Sequence, residues 1–261
     1  MNADGKEPSP GGAEPDGQAG QGAGRDERQA ERQAERQAVR LAVCGVGKFF
    51  GSRLVLRDVS VEARAGEALL VVGGNGAGKT TLLKIMAGLT RASAGTVEPF
   101  AEPERCAYLG HATFLYPRLS ARANLLFWGR MYGRAPGRED IDAVLSRVGL
   151  LRAADEPAGT FSRGMAQRLN LARVFLVDPQ LVFLDEPGTG LDPASQELLR
   201  REITAFKASG AAVVWVSHHL AADLPFAERV LHLKDTRVAY SGPASDFNAE
   251  VLAWPPSSIR A

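Results

Sequence analysis

Long apolar runs are missing from the 261 residues: no stretch approaches the roughly 18 apolar residues that a membrane-spanning helix needs. An excess of one charge is missing too. Lys and Arg number 31 against 30 Asp and Glu, so no global field recruits nucleic acid or an anionic membrane. Cysteine is scarce: Cys44 and Cys106 stand apart without metal-ligand spacing, which predicts free thiols buried in a reducing compartment. The first residues lack the apolar core of a secretory signal. These absences predict a cytosolic protein without a nucleic-acid partner, and any work across a membrane would need another chain to supply the path. What is present suits one full-sized globular domain, with 45 % apolar and 23 % charged residues.

Residues 1–38 are different material from residues 39–261. Up to Arg25 the chain holds no aromatic and no β-branched residue, too little apolar surface to offset the entropy of ordering it. Three copies of Glu-Arg-Gln-Ala follow, from Glu27 to Ala38. Arg28 falls one helical turn from Glu31, but Glu27 also aligns with Glu31, so attraction and repulsion nearly cancel. Without an apolar stripe the repeat predicts a transient, solvated helix.

From Val39 onward, short apolar runs alternate with helical patterns. Ala68 to Val72, Leu181 to Leu184 and Ala211 to Val216 read as strands buried on both faces of a parallel sheet. Asp192 and Pro193 form an N-cap and first-turn pair, Leu199, Ile203 and Phe206 make one apolar face, and Gly210 stops that helix. Ser162 is placed to cap another helix whose face is Met165, Leu169, Ala172 and Leu176. Strands alternating with helices imply an α/β fold with a parallel sheet.

The strand at Ala68 runs into Gly73-Gly74-Asn75-Gly76-Ala77-Gly78-Lys79-Thr80-Thr81, and a helical pattern follows. Strand, glycine-rich loop, Lys-Thr and helix together form a P-loop. Its small residues let backbone N–H groups converge on a phosphate chain at the positive end of a helix. Lys79 is then expected to reach the β- and γ-phosphates of ATP, and the Thr80 hydroxyl to ligate Mg²⁺. The apolar strand Leu181 to Leu184 ends in Asp185 and Glu186. Successive side chains on a strand point opposite ways, so the two acids differ in role: Asp185 for the Mg²⁺ shell, Glu186 to polarise the attacking water. Ser217-His218-His219 closes the next strand at the ligand end of such a sheet, and His218 is expected to sense the γ-phosphate beside Glu186.

This constellation resembles the ATP-binding subunits of ABC transporters from about residue 40 onward. Phe161-Ser162-Arg163-Gly164-Met165 looks like the family signature Leu-Ser-Gly-Gly-Gln, upstream of the Asp-Glu pair. The resemblance implies a P-loop NTPase core, RecA-like, with an antiparallel β lobe from about Val39 and a helical lobe near Pro117 to Ser162. It implies ATP hydrolysis in a head-to-tail dimer with a second ATP-binding subunit, a homodimer by expectation. In it, Ser162 and Gly164 of one copy meet the nucleotide of the other. Thr189 to Asp192 resembles the loop that communicates between the sites, so Asp192 joins the binding set. Phe50 takes the place of the aromatic that stacks on adenine, with Phe49 as the neighbouring register. The partner implied is a transmembrane permease subunit, which would hold the chain at the cytoplasmic face of the inner membrane.

The sequence departs from the family pattern at the signature, where Arg163 and Met165 replace Gly and Gln, and at the glutamine loop, where His111 stands for Gln. Arg163 is expected either to face the partner's γ-phosphate or to point to solvent. The aromatic stretch Phe114, Tyr116, Phe127, Trp128 and Tyr132 is expected in the core of the helical lobe. Gly110-His111 with the Ser-Arg-Gly-Met variant is similar to the haem-exporter subunits of cytochrome c maturation. An exporter with other cargo, or a soluble ABC ATPase acting on DNA or ribosomes, is the rival reading. Against the latter, the stretch from Lys79 to Thr160 has no room for the coiled coil of repair ATPases, and the chain carries one ATP-binding domain rather than two.

Overall fold

The computed structural model describes residues 38–99, 101–110, 113–189 and 191–249. The Glu-Arg-Gln-Ala tail, His111 and Gly190 therefore lie outside the described residues.

Two sheets carry the described chain. The first is antiparallel, in the order β2-β1-β4, from β1 (Val39–Phe50), β2 (Arg53–Arg64) and β4 (Ala94–Pro99). The second has six strands in the order β5-β6-β7-β3-β8-β9. Its members are β3 (Ala68–Gly73), β5 (Cys106–Leu109), β6 (Leu181–Asp185), β7 (Ala212–Val216), β8 (Arg229–Lys234) and β9 (Arg237–Pro243). All its pairings are parallel except β8 with β9. Strands β6 and β7 are buried at every residue, as expected for strands covered on both faces. The α/β fold with an antiparallel β lobe and a helical lobe is as the sequence predicts.

Helix α1 (Lys79–Met86) packs with the β lobe against one face of the large sheet, where Leu82, Leu83, Phe183 and Val214 share a core. Helix α5 (Pro193–Ala208) covers the other face, burying Leu199, Ile203 and Phe206 with Trp215. Gly210, at φ 85°, ends the approach to β7 in a conformation that glycine adopts without strain. The helical lobe has its own core. Helices α2 (Ala121–Met131), α3 (Arg138–Arg147) and α4 (Arg163–Phe175) enclose Leu125, Leu145, Leu169 and Ala172. Asn124, fully buried, ties the entry of α2: its Oδ1 accepts from Tyr116 N, and its Nδ2 donates to the carbonyls of Tyr116, Leu119 and Ser120.

Two expectations need correction. Cys44 is exposed because Val43 and Val46 take the inward positions of β1 around a bulge, and Cys106, at the start of β5, is only half-buried. Of the aromatic stretch, Phe114 and Tyr116 are 49 % and 44 % exposed rather than core, since they precede α2 and line its edge.

Candidate functional site

The P-loop sits between β3 and α1 in a backbone form that only glycine tolerates at two points. Gly73 has φ 149°, and a Cβ there would fall 2.4 Å from the carbonyl oxygen of Leu233. Gly78 has φ 99°, and a Cβ there would fall 2.7 Å from Leu56 Cδ2. Gly78 also caps α1 without any side chain, so the first N–H groups of the helix keep their capacity for an anion. Lys79 Nζ donates to the carbonyls of Gly73 at 2.8 Å and Gly74 at 3.0 Å, folding the side chain over its own loop. Burial pulls the Lys79 ammonium below the ordinary lysine range, opposed by the charges of Glu186 and Asp185.

Asp185 ends β6 and is 1 % exposed. Its Oδ1 accepts from the Thr80 hydroxyl at 2.9 Å, and its Oδ2 accepts from the Tyr108 hydroxyl at 2.9 Å. Burial pushes the Tyr108 phenol well above the ordinary tyrosine value, and the Asp185 charge adds to it. Glu186 follows with φ 53°, a left-handed conformation that is rare outside glycine and costs on the order of 1–3 kcal/mol. That turn brings Glu186 Oε1 to 2.5 Å from His218 Nε2, at the end of β7. Behind His218, Ser217 Oγ donates to the buried Asp223 and accepts from His219 N, while Arg200 Nε donates to Asp223.

A cleft of about 500 Å³ gathers Asn75 to Thr81, Glu186, His218 and Phe50. Phe50 is 54 % exposed, with Lys48 Nζ 4.8 Å from its ring centre. Phe49 does not line the cleft, so the register with Phe50 is the one that faces it. Gly73 and Gly74 lie beneath, as the carbonyls that hold Lys79. Arg53 and Val55, on β2, join the wall and were not foreseen; only the pairing of β1 with β2 brings them there.

Ser162, Gly164 and Asp192 are not part of that cleft. Ser162 Oγ caps α4 by accepting from Met165 N at 3.2 Å. Asp192 caps α5, its Oδ1 accepting from Ser195 N and its Oδ2 from Ser195 Oγ. Those bonds hold the Asp192 carboxyl below its usual range. Arg163 Nη2 donates to Thr189 O of its own chain at 3.4 Å, so the exposed guanidinium rests on the loop after β6. Gln167 Nε2 donates to Pro187 O in the same loop. The tip of α4 is thus bound to the segment that follows Glu186.

A second cavity, of about 480 Å³ and mainly apolar, opens between the helical lobe and the large sheet. Phe114, Trp128 and Tyr132 form one wall and Leu181 and Phe183 another, with Arg173 between them. Arg173 is 3 % exposed, and burial lowers its affinity for its proton.

The family model described as "ABC transporter" matches residues 56–189. The chain is 40 % identical over 174 residues to the cytochrome c biogenesis ATP-binding export protein CcmA of Rhodopseudomonas palustris (strain BisB5), covering 64 % of this chain and 86 % of that one. It is 33 % identical over 218 residues to the Nod factor export ATP-binding protein I of Burkholderia lata, covering 79 % and 72 %. A solved structure entitled as the ATP binding subunit of an ABC transporter superposes with TM-score 0.74 at 27 % identity, over 79 % of this chain and 90 % of that one.

Proposed function

The chain belongs to the ABC transporter family as an ATP-binding subunit and an ATPase, and from that premise we propose how its residues bind and cleave ATP and what the cleavage serves. The observation that carries the reading is the convergence of Thr80, Glu186 and His218 on one cleft with the P-loop, with Asp185 bonded to Thr80.

ATP lies with its phosphates along the backbone of Asn75 to Thr81, and its adenine on the Phe50 ring. Such stacking is worth about 0.5–1.5 kcal/mol beyond area burial. Lys79 exchanges its two carbonyl acceptors for phosphate oxygens, so the loop stores the cation where the anion will need it. A hydroxyl and a carboxylate 2.9 Å apart are hard oxygen donors, and they suit Mg²⁺, which binds through one or two carboxylates plus phosphates and water. Among the described residues no cluster of three acidic, His or Cys side chains competes as a metal cage. Thr80 and Asp185 would hold the ion, which when bound neutralises charge on the β- and γ-phosphates. Glu186 orients and deprotonates the attacking water, and His218, just past the end of the neighbouring strand β7, steadies the Glu186 carboxylate.

Subunits of this family dimerise and work with transmembrane permeases. Ser162 and Gly164, remote from their own cleft, complete the site of a second copy in a head-to-tail homodimer. The apolar cavity beside Trp128 and Tyr132 receives a segment of the permease. Among the described residues no helix is long and apolar enough to cross a membrane. The cargo is haem, exported for cytochrome c assembly; the 40 % identity to a protein named for cytochrome c biogenesis and export supports this reading. The relative named for Nod factor export, at 33 % identity, supports an exporter of other cargo as the second reading.

Two experiments test this. A Glu186→Gln variant given ATP should run as a dimer on a sizing column, and a strict monomer would overturn the paired site. Deleting the gene in its host should abolish covalent haem attachment to c-type cytochromes; normal attachment would overturn the cargo.

A further inference from the structure

Tyr108 packs its ring against the core, but its hydroxyl is not accounted for by packing or by hydrolysis. It stands on β5, opposite Phe183 of β6. A phenylalanine would fill the same space, so the hydroxyl is the only feature that core packing does not require. That hydroxyl makes one bond to a side chain, donating to Asp185 Oδ2 at 2.9 Å. The other oxygen, Oδ1, is thereby left facing the Thr80 hydroxyl. A buried carboxylate that is not pinned at one oxygen can rotate, and rotation would misplace the oxygen offered to a metal.

The ring has room on one side, and the residue's backbone is held on another. Its neighbour Gly110 has no side chain, and a Cβ there would fall 2.7 Å from Tyr108 Cε1. Its own carbonyl accepts from Arg173 Nη2 at 2.7 Å. Arg173 reaches out of α4 with no carboxylate in range among the described residues; it donates to Asn170 Oδ1 and the Tyr132 hydroxyl, and Trp128 lies 5.0 Å from its centre. The helical lobe thus fastens the strand residue whose phenol orients Asp185.

We propose that Tyr108 is a positioning residue for the Mg²⁺ site: its hydroxyl fixes the Asp185 carboxylate so that Oδ1 meets Thr80, and Arg173 anchors it to the helical lobe. This rests on the reading of Thr80 and Asp185 as the metal-holding pair. Partners behind a metal ligand are typically worth about 10–100-fold in metal affinity.

The test uses Mn²⁺ as the probe, with a non-hydrolysable ATP analogue, and reads bound ion by electron paramagnetic resonance in the full-length chain. Tyr108→Phe should weaken Mn²⁺ about tenfold or more while analogue affinity in EDTA stays unchanged. Gly110→Ala, which keeps the hydroxyl but displaces the ring, should weaken Mn²⁺ in the same direction and serves if Tyr108→Phe does not fold. Wild-type Mn²⁺ affinity in both variants would overturn the proposal, as would an equal loss of analogue binding in EDTA. A wild-type chain whose analogue binding ignores Mn²⁺ would overturn the metal reading itself, a different result from an unaffected variant.

Discussion

The P-loop cleft and the tip of α4 both present backbone N–H groups at a helix start, yet they are finished to different degrees. At the cleft Lys79 bonds two carbonyls, Asp185 beneath Thr80 accepts from Thr80 and Tyr108, and Glu186 meets His218. At the α4 tip Ser162 is exposed and spends its oxygen on its own helix, while Gly164 opens toward Asp192. One region gathers the residues proposed to hold a nucleotide. The other lies outside that cleft, and the proposed reading turns it toward the nucleotide of a second copy.

Substitutions in the cleft and at the tip should therefore fail in different ways. Glu186→Gln should lower ATP turnover about 10²–10⁴-fold, the worth of general-base assistance, while nucleotide still binds; near-normal turnover would break the assignment of that carboxylate. Lys79→Ala should cost a lone subunit about 10–100-fold in nucleotide affinity, as charge-assisted hydrogen bonds are lost, measured by equilibrium titration. Gly164→Asp should leave that affinity within about twofold yet cut turnover about tenfold or more, because a negative charge is added where a helix start would face phosphate. If monomer affinity fell as far as turnover, the contrast between the two regions would collapse.

The smallest effect is read in stability. Asp192→Ala should lower the melting temperature modestly at pH 7, through loss of the α5 cap. The folded carboxyl lies below its ordinary value of 3.8, so its contribution is present above that value and lost as pH falls through the folded one. The difference between wild type and variant, followed by thermal melts, should shrink below that pH.

The chemistry of the cleft was legible because P-loop geometry makes demands on residue type that are local in sequence. A loop that needs φ above zero at Gly73 and Gly78 writes those glycines into the chain, and a strand ending in two acids writes Asp185 beside Glu186. Helix caps were legible for the same reason: Ser162 and Asp192 act within three residues of themselves. Arg163 was readable only as a choice between a partner's phosphate and solvent; its bond to Thr189 depends on how α4 meets the loop after β6. Arg53, Val55 and Tyr108 had no local mark, since each reaches the site across a strand pairing.

By itself, then, the amino-acid order determined the α/β alternation, the phosphate loop, the acid pair and the histidine that answers it. These follow from period, turn chemistry and charge at strand ends, all short-range constraints. Tertiary structure alone decided that Tyr108 and Thr80 share the Asp185 carboxylate and that Arg173 is buried without a counter-charge among the described residues. Those depend on strand order and lobe packing, where residues distant along the chain meet because burying apolar surface leaves them nowhere else to go.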